Sequence, residues 1–336
     1  MIPLDFRRRF PDAVPEGKYA LIGCIGFEDR STAVAQEVAN HSHPRLSFLL
    51  RLHNPGGEWA AACAARSDTN LETVRQLLTV RSIFDLRVMS PDLDAQCELV
   101  AETAAAEMST ESLDLLVVDM TTMPKVVMFP LLRALLRAPQ IGNLLVAYTE
   151  PGGYSRTALH VDPIHPPASL AGLNRLEPGT RPDLAWIPIL GFGSYFAGMI
   201  HESLVSAGSL EQRIFPLLGF PGFDPGLYHR VLLDNGRRLL ALSSQPRVRD
   251  RFMFAPAWDP FATRDAILSA IELLPESVSW VGSPLGPRPM ALGMLLAALR
   301  SQRLTVITAQ ARSYNPEYSS GAGKIHLYPI RLSREK

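Results

Sequence analysis

Two stretches of the chain run through a strand-like segment, small residues, a proline with a cation, and then apolar sequence of helical character. Residues 117–128 read VVDMTTMPKVVM and residues 280–290 read WVGSPLGPRPM. Backbone N–H groups at the start of such a helix form an anion site. Lys125 and Arg288 would add fixed charge to it, with Thr121, Thr122, Ser283 and Gly286 in the same loops. The competing reading is plain capping, because Thr or Ser ahead of a helix with Pro in its first turn requires no ligand.

Acidic residues follow two strand-like runs of the first half. Residues 25–32 (IGFEDRST) hold Gly26, Glu28, Asp29 and Arg30, and Asp119 ends the run before Thr121. Carboxylates at strand ends suit general-base work, metal binding or recognition of ribose hydroxyls. They equally suit a helix start that gains from negative charge, with Arg30 as ion-pair partner. The matching stretch of the second half, residues 190–199 (LGFGSYFAGM), carries Gly191 and Gly193 but no acid. It lacks the third glycine of a dinucleotide fingerprint. If the protein is an enzyme, Glu28, Asp29 and Asp119 are its catalytic candidates. Two further loops bring aromatic residues: residues 148–155 (YTEPGGYS) with Tyr148 and Tyr154, and residues 311–324 (ARSYNPEYSSGAGK) with Arg312, Tyr314 and Tyr318. These tyrosines could stack on a base and Arg312 could reach phosphate. The second loop reads as a Ser/Gly-rich flap.

The elements that must hold these residues alternate. Strand-like runs fall at 19–25, 46–52, 83–89, 114–119 and 144–149, with helical spacing at 31–39, 70–79, 94–107 and 125–137. In the second half the strands are expected at 185–190, 213–218, 238–243, 278–282 and 303–308, with helices at 194–206, 225–234, 261–274 and 289–300. Strands separated by helices imply βαβ units and parallel sheets covered on both faces. The fold class is therefore α/β, as two tandem Rossmann-like halves. Internal repetition supports this. Gly26-Phe27 matches Gly191-Phe192, Pro55-Gly56 matches Pro221-Gly222, Pro124-Lys125 matches Pro287-Arg288, and Tyr154-Ser155 matches Tyr318-Ser319. The offsets are 165, 166, 163 and 164 residues, each match following an equivalent strand. The expected organisation is a first half at 1–155, a Pro-rich connector at 156–182 and a second half at 183–336. A pseudo-two-fold between the halves would join their carboxyl edges into one cleft, the place where open α/β sheets bind ligands.

Composition narrows the classes. The 336 residues include 33 Lys+Arg and 33 Asp+Glu, a balance unlike that of proteins that grip nucleic-acid backbone. Only four of the cations are lysines, so Lys125 in a loop stands out. Three cysteines without CxxC spacing suit a reducing, cytoplasmic setting and no Cys-based zinc site. The scattered histidines, His41 and His43 included, suggest no metal centre. The longest uncharged run, 184–200, is shorter than the roughly 20 apolar residues of a membrane helix. No G-x-S-x-G, Walker A or H-E-x-x-H motif occurs.

The loops at 120–128 (MTTMPKVVM) and 283–293 (SPLGPRPMALG) resemble the strand–turn–helix element of CRISPR-associated Rossmann-fold (CARF) sensor domains, with Lys125 and Arg288 in its cation position. Neither loop has that family's Gly-Gly, and no effector nuclease segment follows. The resemblance implies two Rossmann-like folds holding a cyclic oligonucleotide, in a prokaryotic defence system. Three functions remain open. The first is a sensor or accessory protein for a nucleotide or other phosphorylated small ligand. The second is a nucleotide hydrolase or transferase active in the first half. The third is a protein-interaction subunit with a vestigial cleft. The sequence names no cofactor.

Overall fold

A computed structural model describes residues 4–5, 14, 16–53, 59–155, 167–170, 173, 183–192, 194–207, 213–242, 251–309, 311 and 314–331. The chain divides into two compact units. The N-terminal unit comprises Pro3–Pro163 with Ala311–Lys336, and the C-terminal unit Ile164–Gln310 with Met1–Ile2.

In the N-terminal unit, strands β1 (Leu4–Asp5), β2 (Tyr19–Ile25), β3 (Leu46–His53), β4 (Ser82–Arg87), β5 (Leu115–Asp119), β6 (Asn143–Tyr154) and β13 (Ser319–Arg331) form one sheet. Its order is β1-β13-β6-β5-β2-β3-β4. The strands β2 to β6 run parallel, with β13 and β1 antiparallel at one edge. A sheet whose central strand is apolar at every position, as YALIGCI of β2 is, must be covered on both faces. Helices α1 (Ala33–His41), α2 (Ala60–Leu77), α3 (Leu93–Thr110) and α4 (Lys125–Arg137) connect the strands. Helix α4 buries nearly its whole length from Val127 to Leu135, including the internal Pro130.

The C-terminal unit repeats the plan. Strands β7 (Ala168–Ser169), β8 (Leu184–Ile189), β9 (Leu217–Gly219), β10 (Met253–Ala255), β11 (Ser279–Pro284) and β12 (Leu304–Thr308) form a sheet of order β10-β9-β8-β11-β12-β7. Its helices are α5 (Ser194–Ala207), α6 (Pro225–Leu242), α7 (Pro260–Glu272) and α8 (Arg288–Ala298). Numbered within each half, the parallel strands of both sheets follow the order 3-2-1-4-5, so each unit is a Rossmann-like α/β domain. Among the described residues, no helix is long and apolar enough to cross a membrane.

Three expectations are corrected. Of the run at 238–243, residues 238–242 are helical, since α6 continues through Leu242, while residue 243 lies outside the described residues; the third parallel strand is β10. A short apolar run fits either period, and here the helix won. Helix α2 starts at Ala60 rather than near residue 70, because the Ala-rich stretch 60–65 is helical despite burying little. The largest change concerns the C-terminus. Residues expected to form a flap in the second half pair instead with β6 of the N-terminal unit, from Ser319↔Tyr154 to Arg331↔Asn143. Ile325 and Leu327 thereby enter the core of Leu21, Ile25, Leu145 and Ala147. The connector behaves reciprocally, since β7 pairs antiparallel with β12. The fifth parallel strand of each unit thus has an antiparallel neighbour, β13 beside β6 and β7 beside β12.

Candidate functional site

Strand order reverses between β2 and β5 in one unit and between β8 and β11 in the other, so the loops after these strands define the crevice of each sheet. In the N-terminal unit the two loops touch. A Cβ on Gly26 would come 2.7 Å from Thr122 Cβ. Thr122 Oγ1 donates to the Cys24 carbonyl at 2.7 Å. Thr121 Oγ1 accepts from the Thr149 amide at 2.9 Å. Asp119, buried at the end of β5, accepts from the Thr121 amide at 2.8 Å. The Thr121 and Thr122 hydroxyls are therefore turned inward and hold the loop. The C-terminal unit has the same contact in backbone atoms: a Cβ on Gly191 would meet the Leu285 carbonyl at 2.3 Å and Gly286 Cα at 2.9 Å. Ser283, fully buried, accepts a hydrogen bond from Trp186 Nε1 at 2.9 Å.

Beyond Gly26 the chain makes a short 3-10 turn, Asp29–Thr32, and builds a buried polar network. Glu28 Oε2 accepts from Arg30 Nε at 2.8 Å and lies 2.7 Å from Arg30 Nη2. The same oxygen accepts from Ser319 Oγ at 2.8 Å. Arg30 Nη1 donates to the Thr149 carbonyl at 2.9 Å and to Tyr148 Oη at 3.2 Å, and Nη2 reaches Tyr318 Oη at 3.5 Å. Burial by itself opposes charge on Arg30. Tyr148, Glu28, Tyr318 and Tyr154 outweigh it and hold the guanidinium above its ordinary pKa. Burial of the Tyr154 hydroxyl pushes that phenol well above its usual range. Asp29 Oδ2 accepts from the Gly321 amide at 2.9 Å. The Glu28 carboxylate, engaged by Arg30 and Ser319, is a poor general base because its lone pairs are occupied.

The anion candidates sit where the sequence places them. Lys125 is the first residue of α4 and Arg288 the first of α8. Each follows a proline N-cap of extended backbone, Pro124 at φ −60°, ψ 147° and Pro287 at φ −57°, ψ 151°. Neither helix has a side-chain cap or an acidic residue in its first turn. The capping reading thus does not account for these two helix starts.

Of the sequence candidates, Gly26, Glu28, Asp29, Arg30, Tyr148, Tyr154 and Tyr318 come together in the N-terminal unit, with Tyr154 and Tyr318 ring centroids 6.5 Å apart. Tyr314 joins them on Phe27, at 6.3 Å between centroids. Both Tyr314 and Tyr318 therefore belong to the N-terminal unit. Gly193 and Arg312 lie outside the described residues, as does Pro55-Gly56 of the repeat. Among the described residues, no group of three His, Cys, Asp or Glu side chains is arranged to hold a metal ion. Three contributors were missed. Asn70 donates to the Gly26 and Glu28 carbonyls at 2.8 and 3.1 Å, and Asn235 to the Gly191 carbonyl at 2.9 Å. Arg66 binds the Pro316 carbonyl at 2.9 Å. The 165-residue offset of the asparagines matches the dipeptide repeat and could have revealed them.

No protein-family model and no curated protein sequence matches the chain. Solved structures align over most of its length with little similarity. A putative universal stress protein from Pseudomonas aeruginosa UCBPP-PA14 is 15% identical over 87% of this chain and 92% of its own, with TM-score 0.26. The cytoplasmic domain of a prokaryotic cation chloride cotransporter is 11% identical over 88% and 96%, with TM-score 0.26. A universal stress protein from Archaeoglobus fulgidus DSM 4304 is 9% identical over 87% and 96%, with TM-score 0.24. Such scores assign neither ligand nor activity to this chain.

Proposed function

We propose that the protein binds a nucleotide or another phosphorylated small molecule at the carboxyl edge of its Rossmann-like sheets and acts as a sensor or accessory protein. The observation that carries this reading is the cation at the first position of both α4 and α8. The N-terminus of a helix is its positive end, where a cation costs about 0.3–1 kcal/mol. Two units repeat that placement after equivalent strands, without a side-chain cap. An anion bound at the turn would reverse the sign, turning cation and helix dipole into joint attractions.

Isothermal titration with ATP, cyclic mononucleotides and cyclic oligonucleotides tests the reading. Binding of one of them, weakened by Lys125→Gln or Arg288→Gln, is the expected result. A bound phosphorylated ligand indifferent to both substitutions, or no binding by any of the panel, overturns it. The finer CARF-like reading, and with it a defence role, requires that a cyclic oligonucleotide bind best. Hydrolysis or transfer at Glu28, Asp29 and Asp119 is less favoured, since Glu28 and Asp29 are engaged by Arg30, Ser319 and Gly321. The interaction-subunit reading predicts no response to any nucleotide.

A further inference from the structure

The loop after β2 of the N-terminal unit is covered by the chain's own C-terminal segment. Residues 314–318 read YNPEY and form a turn closed by the Tyr318 amide on the Asn315 carbonyl at 3.1 Å. The turn lays Tyr314 and Tyr318 on Phe27, with centroids 6.3 and 6.2 Å away. It also sets the Glu317 carboxylate on the Arg66 guanidinium and the Pro316 carbonyl on Arg66 Nη1. Cys63 Sγ donates to the Tyr314 carbonyl at 3.4 Å. An aromatic ring on Phe27 and an anion on Arg66 are the two chemical parts of a purine nucleotide, placed over the switch-point loop where such a fold binds ligands.

The segment is held unevenly. Its outer end rests on half-buried rings, on single hydrogen bonds from Arg66 and Cys63, and on an ion pair exposed at 40% for Arg66 and 70% for Glu317, a type of pair that contributes little. Its inner end is fixed by Ser319 on Glu28, by the Gly321 amide on Asp29 and by the β13–β6 ladder. Residues 314–317 can therefore lift about Tyr318, whose carbonyl accepts from the Ser155 amide at 2.9 Å, while β13 stays paired.

We propose that Tyr314–Tyr318 is a strap that fills a purine-nucleotide site of the N-terminal unit, formed by Phe27 and Arg66, and that a nucleotide competes with it. The proposal rests on the nucleotide-binding reading above. The test is ATP titration of the full chain in an Arg288→Gln background, which leaves the N-terminal site to be read. Tyr314→Ala with Glu317→Ala should tighten ATP binding by about tenfold, since a closed strap lowers apparent affinity by the open fraction. Adding Phe27→Ala should remove the gain. Hydrogen exchange on the unsubstituted protein supplies a second measurement: ATP should raise exchange at residues 317–318 and leave 325–331 protected. If ATP binds the unsubstituted protein but the strap variant gains nothing, the strap is refuted and the general reading stands. If ATP binds none of the proteins, including the strap variant, both fail for this nucleotide.

Discussion

Asn70 and Asn235 lie 165 positions apart and make the same hydrogen bond. Each side-chain amide, from the helix after the second parallel strand of its half, donates to the carbonyl of the glycine in the loop after the first: Gly26 at 2.8 Å and Gly191 at 2.9 Å. These bonds fix the height of the loop over each sheet. Asn70→Ala should cost about 1–3 kcal/mol, the penalty of leaving the carbonyl of the buried Gly26 unsatisfied, and Asn235→Ala less, because Gly191 is half-buried. Urea unfolding of each variant measures it, and a midpoint unchanged from the unsubstituted chain would show the bond to be incidental.

Glu28 and Arg30 form an ion pair that is almost wholly enclosed, at 4% and 1% exposure. Replacing Glu28 by Gln strands a buried guanidinium, which should destabilise the protein by about 3–5 kcal/mol. A catalytic glutamate with a free carboxylate would behave oppositely, losing activity with little change in stability. Chemical denaturation separates the two.

Lys125 and Arg288 should show a split between stability and binding. Without ligand, Lys125→Gln and Arg288→Gln remove a positive charge from a helix N-terminus, so stability should hold or rise by about 0.3–1 kcal/mol. In saturating ligand the order should invert, because the variants lose the stabilisation that bound ligand provides. Melting temperatures with and without ligand supply both comparisons.

Gly26 and Gly191 have no space for a methyl group. Gly191→Ala drives a Cβ against the Leu285 carbonyl, at 2.3 Å, and Gly26→Ala drives one against Thr122 at 2.7 Å. Overpacking of this kind costs about 1–3 kcal/mol. The Gly191 variant should suffer more, since a backbone carbonyl yields less readily than a side chain. Equal melting temperatures would contradict the close approach of the two loops.

Cysteine labelling offers a chemical check on the strap. Burial raises the Cys63 thiol above its ordinary pKa, against a smaller opposing pull from Arg66. Burial pushes Cys97 up to about 12. A raised pKa means less thiolate at a given pH, so at about pH 8 Cys63 should react slowly with a disulfide reagent and Cys97 hardly at all. Labelling of Cys63 should speed up as pH rises and after Tyr314→Ala. An unchanged rate in that variant would mean the strap does not shield the thiol.

Much of this was legible in the residues. The apolar runs YALIGCI and LLVV fix buried parallel strands, because a sequence with no polar face needs cover on both sides. The repeat offsets located the switch-point glycines and placed Lys125 and Arg288 at equivalent helix starts. Those features are local, written in spacing a few residues long. The roles of Thr121, Thr122 and Ser283 were not legible: a hydroxyl before a helix reads as a cap or an anion ligand, and only the packed loop shows it bonded to Thr149, Cys24 and Trp186. Nor could the sequence assign residues 314–331, since strand pairing joins segments far apart in the chain. Tertiary structure gave Tyr314, Tyr318 and β13 to the N-terminal unit, because the apolar face of β13 could be buried beside β6 while Glu28 and Arg30 met the polar groups they required.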